Sequence, residues 1–277
     1  MQPFEFIKYT PRSNCGECGY AACLAFAAAV TKGGENPGKC PHIDLAQLGD
    51  EFSTGNRGKD GLEGVGKLLD EKDVELVAYL KRKTSQIDFA KAAEALGCDW
   101  SGSEKDCLLL QFFGRDVEIF HDGILIDGKE VEDPRDQILL YNYVHFAGGD
   151  KPEQEWIGME SLPNSISKIR TLRVYCEERI AAHFTGKAEL LKELAPQLGA
   201  QIQENPEQSC AAAFVIPALP RLPLFVLFWD EEIEDGFPAK VKVLFDQKVL
   251  DFLDIESLVF VCERMAERWV ELTKNRE

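Results

Sequence analysis

The chain has 277 residues, 45% of them apolar and 29% charged, a globular composition that excludes an intrinsically disordered protein. Its net charge of −17, from 31 basic and 48 acidic residues, argues against a nucleic-acid partner, whose phosphates it would repel. No apolar run approaches the roughly 20 residues of a membrane span, and the first residues lack the basic and apolar regions of a secretory leader; a cytoplasmic protein is expected.

In chain order, residues 1–13 read as an extended apolar lead-in carrying Phe4, Phe6 and Tyr9. Ala21–Val30 is almost wholly Ala and other apolar residues and predicts a helix, stopped by Gly33 and Gly34. Asn36-Pro37-Gly38 predicts a turn, and Pro41 a short helix running to about Leu48. Residues 50–61, rich in Gly, Ser and charge, read as a linker between a 1–49 module and a 62–277 domain. The charge agrees with two parts, because residues 1–48 hold four basic and four acidic groups and the whole net charge sits in the remainder. Beyond the linker, helices are predicted over Leu62–Lys81, Asp88–Leu96, Pro134–Phe146, Ile166–Phe184, Ala188–Leu198 and Ile255–Leu272. Cys107–Phe113 and Val117–Phe120 predict a hairpin around Gly114, with a turn at His121-Asp122-Gly123 leading to Ile124–Ile126. Trp156–Met159, Ala211–Ile216, Pro223–Trp229 and Val241–Phe245 read as further strands. Strands and helices come in clusters, which predicts an α+β fold, not a doubly wound sheet.

Nine cysteines without a secretory leader argue against a disulfide framework. Five are scattered (Cys98, Cys107, Cys176, Cys210, Cys262) and read as core residues. Cys15, Cys18, Cys23 and Cys40 fall at spacings x2, x4 and x16, with Pro41 after the last. Three thiolates from one loop and a fourth from a distant position suit the four corners of a [4Fe–4S] cluster. Gly16 and Gly19 each follow a cysteine and let the backbone fold tightly with amides toward cluster sulfurs. Cys23 sits near a helix start, where free N–H groups favour negative charge. Zinc is the main rival, although structural zinc sites usually offer two close pairs. A redox pair of Cys15 and Cys18 leaves Cys23 and Cys40 without a role.

The stretch from Pro11 to Pro41, with Asn14-Cys15-Gly16, Cys18-Gly19, Cys23, Ala25-Phe26-Ala27 and Cys40-Pro41, resembles a known cluster module. It is similar to the N-terminal [4Fe–4S] module of the corrinoid iron–sulfur protein large subunit and its acetyl-CoA decarbonylase/synthase counterpart, and to that of RnfB-type subunits. The resemblance implies that Cys15, Cys18, Cys23 and Cys40 hold the cluster, that it carries single electrons at low potential, and, in the corrinoid relatives, that it re-reduces cobalt. The remainder, including FFGRDVEIFHDG and DQILLYNYVHFAGG, resembles a domain-of-unknown-function family of anaerobic bacteria and archaea, from which no catalytic role follows.

The other candidates carry plainer readings. His42 is either an exposed helix-start residue or a group that shields or hydrogen-bonds the cluster. His121 reads as a turn residue, and His145 and His183 as helix-end residues, with His145 the alternative cofactor ligand. The run Asp230–Asp235 with Asp246 suggests a metal but reads as a solvated turn. Phe225, Phe228, Trp229, Phe237 and Phe245 read as core, or as the lining of a pocket for a flat macrocycle. Gly61-Leu62-Glu63-Gly64-Val65-Gly66 follows a linker, not a strand, so a phosphate cradle is not expected. The favoured function is low-potential one-electron transfer, with a redox or corrinoid protein as partner. The alternatives are an accessory or maturation factor with a structural or transferable cluster and, last, an enzyme sited in the second domain.

Overall fold

The structure is a computed structural model that describes residues 3–48 except 14, 16, 21 and 34, residues 73–204 except 147, and residues 209–274. The chain divides into two compact units, Met1–Lys72 and Asp73–Glu277. The expected linker at 50–61, the glycines of 61–66, Asn14 and Gly16 lie outside the described residues.

The first unit is small. Helix α1 (Pro3–Phe6) continues into a 3-10 turn (Ile7–Tyr9), and α2 (Cys23–Gly33) supplies the main apolar face. The lead-in predicted as extended is therefore helical. That winding buries Phe6 completely against Phe26, ring centroids 6.3 Å apart and edge to face, and leaves Phe4 exposed. Tyr20 packs on the same Phe26 ring at 5.4 Å. Phe6, Phe26, Ala27, Val30, Cys40, Ile43 and Leu48 form one apolar cluster, with Ile7, Tyr9, Cys18 and Tyr20 against it. A second 3-10 turn (Pro37–Lys39) is capped by Asn36, whose Oδ1 accepts from the Gly38 N–H at 2.8 Å, and Pro37 opens it. The helix expected from Pro41 is absent. The Ile43 N–H turns back to the Cys40 carbonyl at 3.3 Å, and only Leu45–Leu48 winds, as a 3-10 turn.

The second unit is α+β, with two fully antiparallel five-stranded sheets. One has the order β1 (Asp99–Trp100), β2 (Leu108–Phe112), β3 (Arg115–Ile119), β4 (Ile124–Ile126), β5 (Lys129–Glu130). The other runs β6 (Trp156–Gly158), β10 (Lys240–Asp246), β9 (Leu222–Trp229), β8 (Ala212–Leu219), β7 (Gln201–Ile202). Strand β2 alternates strictly, with Leu108, Leu110 and Phe112 inward and Leu109 and Gln111 outward. Its hairpin to β3 turns on Phe113 and Gly114, both at positive φ (48° and 73°), as a two-residue turn matching the strand twist requires. A Cβ at Gly114 would stand 2.7 Å from the Gln197 carbonyl oxygen, so the site needs glycine twice over.

Helices cover these sheets. Residues 73–84 form α3. They are followed by α4 (Phe89–Leu96), capped by Asp88 and ended by Gly97 at φ 68°. Helix α5 (Pro134–Phe146) precedes a long helical segment. That segment runs from α6 (Ile166–Leu172) through a π turn (Arg173–Glu177) into α7 (Glu178–Phe184). Helix α8 (Ala188–Leu194) leads toward β7, and α9 (Ile255–Lys274) packs against α5, α6, α7 and α8. The inner stripe of α9, Leu258, Val261, Cys262, Met265, Trp269 and Leu272, recurs at helical spacing and is buried. Trp269 meets Phe184 and Phe214 edge to face at 6.4 and 5.7 Å.

Candidate metal centre

The four clustered cysteines sit on three local structures of the first unit. Cys15 and Cys18 lie on the loop between the 3-10 turn and α2, Cys23 opens α2, and Cys40 closes the Pro37–Lys39 turn. Their burial is graded: Cys15 is exposed, Cys18 is half-buried, and Cys23 and Cys40 are 6% and 5% exposed. Cys40 belongs to the apolar cluster itself, and Cys18 packs on its edge. Cys15 therefore faces water, whereas Cys40 rests among Phe26, Ile43 and their neighbours. Gly19, just after Cys18, takes φ 83° with open space at its Cβ position.

Two polar ties join the loop that carries Cys15 and Cys18 to the segment around Cys40. In the first, the Tyr20 hydroxyl donates to Glu35 Oε2 at 2.8 Å, Lys39 Nζ donates to the same oxygen at 2.7 Å, and the Asn36 N–H donates to Oε1 at 2.9 Å. The Lys39 bond, then the Tyr20 and Asn36 bonds, hold the Glu35 carboxyl at about 2. The same bonds push the Tyr20 phenol and the Lys39 ammonium upward. In the second, His42 Nε2 lies 2.8 Å from Glu17 Oε2. His42 is thus an exposed group in a turn, paired to the cysteine loop. Glu17 and Glu35 carry no sequence signal of joining the cysteine loop to the Cys40 segment, because the partners that make the join, His42 for Glu17 and Tyr20 for Glu35, lie 25 and 15 positions away.

Four thiol donors are a set that an iron–sulfur centre accepts, all-thiolate ligation being its usual chemistry.

The second unit offers no comparable centre among its described residues. Cys107, Cys176 and Cys262 are buried, and Cys98 and Cys210 half-buried. An open groove of about 610 Å³ is lined by Cys98, Asp99, Gln111, Asp116, Glu118 and Pro217, among others. Burial, then the Asp99 charge, push the Cys98 thiol up to about 11, which makes it a poor nucleophile, and Glu118 is occupied by Lys105 at 2.5 Å. His121 does more than turn the chain: it stacks on Phe89 with centroids 3.9 Å apart, and its two nitrogens reach the Thr84 carbonyl and Asp106. His183 bonds Thr273 Oγ1 at 2.9 Å, and His145 is exposed. The acidic run is a solvated turn whose Asp230 accepts from the Gly186 N–H at 2.7 Å. Asp246 is buried and accepts from the Gln154 and Lys248 N–H groups. Phe228 and Phe245 are core, Phe225 and Trp229 are half-buried, and Phe237 is exposed, so these aromatics do not line one cavity. No helix among the described residues is long and apolar enough to cross a membrane.

Comparison with known proteins agrees with this division. Residues 11–42 match the family model described as "Putative Fe-S cluster", which makes this an iron–sulfur segment, and residues 88–268 match the family described as "Domain of unknown function (DUF3786)". Over 41 residues the chain is 49% identical to the acetyl-CoA decarbonylase/synthase complex subunit gamma 2 of Methanosarcina thermophila, covering 15% of this chain and 9% of the relative. Over 42 residues it is 43% identical to the corrinoid/iron-sulfur protein large subunit of Moorella thermoacetica, covering 15% and 9%. Over 88 residues it is 30% identical to a subunit of the ion-translocating oxidoreductase complex of Ectopseudomonas mendocina, covering 32% and 38%. The chain spans less than two fifths of the length of these curated relatives. No solved structure is significantly similar to it.

Proposed function

The chain belongs to the DUF3786 family and carries an iron–sulfur segment at residues 11–42, and from that premise we propose that it is an electron-transfer protein whose first unit holds a [4Fe–4S] cluster on Cys15, Cys18, Cys23 and Cys40. The observation that carries this reading is the graded burial of the four thiols, with Cys40 in one small apolar core and Cys18 at its edge. When bound, such a cluster supplies one-electron redox chemistry, at low potential in this reading. Cys23 and Cys40 hold the buried side, where Phe26 and Ile43 exclude water. Cys15 holds the exposed side, where a partner protein can approach closely enough for electron transfer, whose rate falls steeply with distance. The Tyr20–Glu35–Lys39 tie keeps the fourth ligand's segment in register with the other three.

The curated relatives are named as a corrinoid/iron-sulfur protein and as subunits of a decarbonylase/synthase and an oxidoreductase complex. That company supports a redox or corrinoid protein as the partner. In the first unit the basic groups Lys8 and Arg12 are exposed, while Lys39 is neutralised by Glu35. Partners therefore meet the cluster face near Cys15 with Arg12 and Lys8 as steering charges. Reduction of the loaded protein by a stoichiometric donor, followed by stopped-flow, tests the carrier role. Reversible transfer supports it, and loss of the cluster to an apo-acceptor without electron exchange supports a maturation factor instead.

A further inference from the structure

Cys15, Glu17 and His42 form a second constellation that the four-cysteine set does not explain. One ligand atom of each, the Cys15 sulfur, a Glu17 carboxylate oxygen and an imidazole nitrogen of His42, lie within 4.8 Å of one another. No other group of three His, Cys, Asp or Glu residues meets that condition among the described residues. We infer that the cluster-free protein binds one divalent transition-metal ion on Cys15, Glu17 and His42.

Several observations carry this. A thiolate, an imidazole and a carboxylate are the donors that zinc, cobalt and ferrous ions accept, with water filling a fourth position. Around a tetrahedral ion such donors stand about 3.3–3.6 Å apart. Side-chain rotations of roughly an ångström close the group around an ion. All three residues are exposed, so such rotation meets no packing and solvent reaches the open position. The His42–Glu17 contact at 2.8 Å already brings two donors together across 25 positions of sequence. Cys23 and Cys40, by contrast, are buried and not part of the group. The site shares Cys15 with the proposed cluster, so ion and cluster exclude one another. Only that exclusion rests on the cluster reading; the site itself does not.

The test is titration of the full-length, reduced, chelator-treated protein with Co²⁺ under anaerobic conditions, read by the thiolate-to-cobalt charge-transfer band and the visible ligand-field bands. About one cobalt per chain is expected at a tetrahedral site. Cys18→Ala, Cys23→Ala and Cys40→Ala should leave the affinity within about twofold, while His42→Ala and Glu17→Ala weaken it about tenfold or more. Cys15→Ser should remove the charge-transfer band. A loss of affinity in Cys18→Ala, Cys23→Ala and Cys40→Ala instead would place cobalt on the four-cysteine set and overturn the proposal, as would absence of the band in the native chain. Far-ultraviolet circular dichroism of each variant identifies any that fails to fold, and His42→Gln then replaces His42→Ala. Iron–sulfide reconstitution separates the two readings: Cys23→Ala should fail to take a cluster and keep the cobalt site, and His42→Ala the reverse.

Discussion

The Tyr20 hydroxyl donates to Glu35 Oε2 across 15 residues, at 2.8 Å, and thereby fastens the loop after Cys18 to the turn that ends at Cys40. Every ligand of the proposed cluster lies within a few residues of this bond or of the Glu17–His42 pair. The small unit is thus held by apolar packing of Phe6, Phe26 and Ile43 and by two polar ties at its open face.

The acid behaviour of the first unit follows from Glu35. Its carboxyl is held at about 2 by Lys39 and Tyr20, below the ordinary 4.5 of an unfolded chain. A depressed carboxylate stabilises the fold above its unfolded value, and that contribution is lost as pH falls from about 4.5 toward 2. The side-chain carboxyl resonance of Glu35, followed by NMR in the metal-free protein, should titrate near 2. In Tyr20→Phe and Lys39→Met it should return toward 4.5, with a lower thermal midpoint at pH 5.

Arg264 on α9 organises an ion-pair network in the second unit, bonding Asp133, Asp136 at 2.7 Å and Glu267 at 2.6 Å. Burial pushes the Asp133 carboxyl up, but bonds from Arg135 and Arg264 win and hold it at about 2. Arg264→Met leaves these partly buried carboxylates without their shared cation and should cost about 3 kcal/mol in urea unfolding at pH 7. The difference from the native chain should shrink as the pH falls through the ordinary carboxylate range toward 2, because protonated Asp133 no longer needs the cation.

Gly114→Ala should destabilise the second unit by about 1–3 kcal/mol, from positive φ and a Cβ pressed on the Gln197 carbonyl. Gly128→Ala shares the positive φ (74°) but meets no atom within 4 Å, and should cost clearly less. Thermal melts of the two variants check the ranking.

Much of the second unit is legible in the sequence because its strands and helices carry clean periods. The β2–β3 hairpin follows from alternating Leu108, Leu110 and Phe112 and from Gly114. Strand β5 is absent from the sequence expectations, although Asp127 and Gly128, both at positive φ, are a strong two-residue turn signal. Strands β1 and β7, of two residues each, are too short for any period to show. The α1 helix is hidden because four residues carry no helical pattern, and its winding is set by the contact of Phe6 with Phe26. Cysteine spacing points to the candidate centre, whereas Glu17, Glu35 and Tyr20 are long-range partners that spacing does not reveal. His121 reads only as a turn residue in the sequence, since its stacking on Phe89 joins elements about thirty residues apart.

Residues 50–61 contain Gly, Ser and charge with few apolar anchors, and limited proteolysis of the full-length chain should cut there first. Mass spectrometry of the products identifies the site. Early cleavage inside 73–277 would contradict a linker at that position.

A redox-active cluster in the first unit is tested by electron paramagnetic resonance of the anaerobically purified full-length chain before and after chemical reduction, with iron and acid-labile sulfide counted on the same sample. About four irons and four sulfides per chain are expected, with a spin-half signal that appears on one-electron reduction and vanishes on reoxidation. Cys18→Ala and Cys23→Ala should lose the signal, while Cys107→Ala and Cys262→Ala keep it. Stoichiometric zinc without sulfide, or an iron–sulfur centre that accepts no electron, would contradict a redox-active cluster.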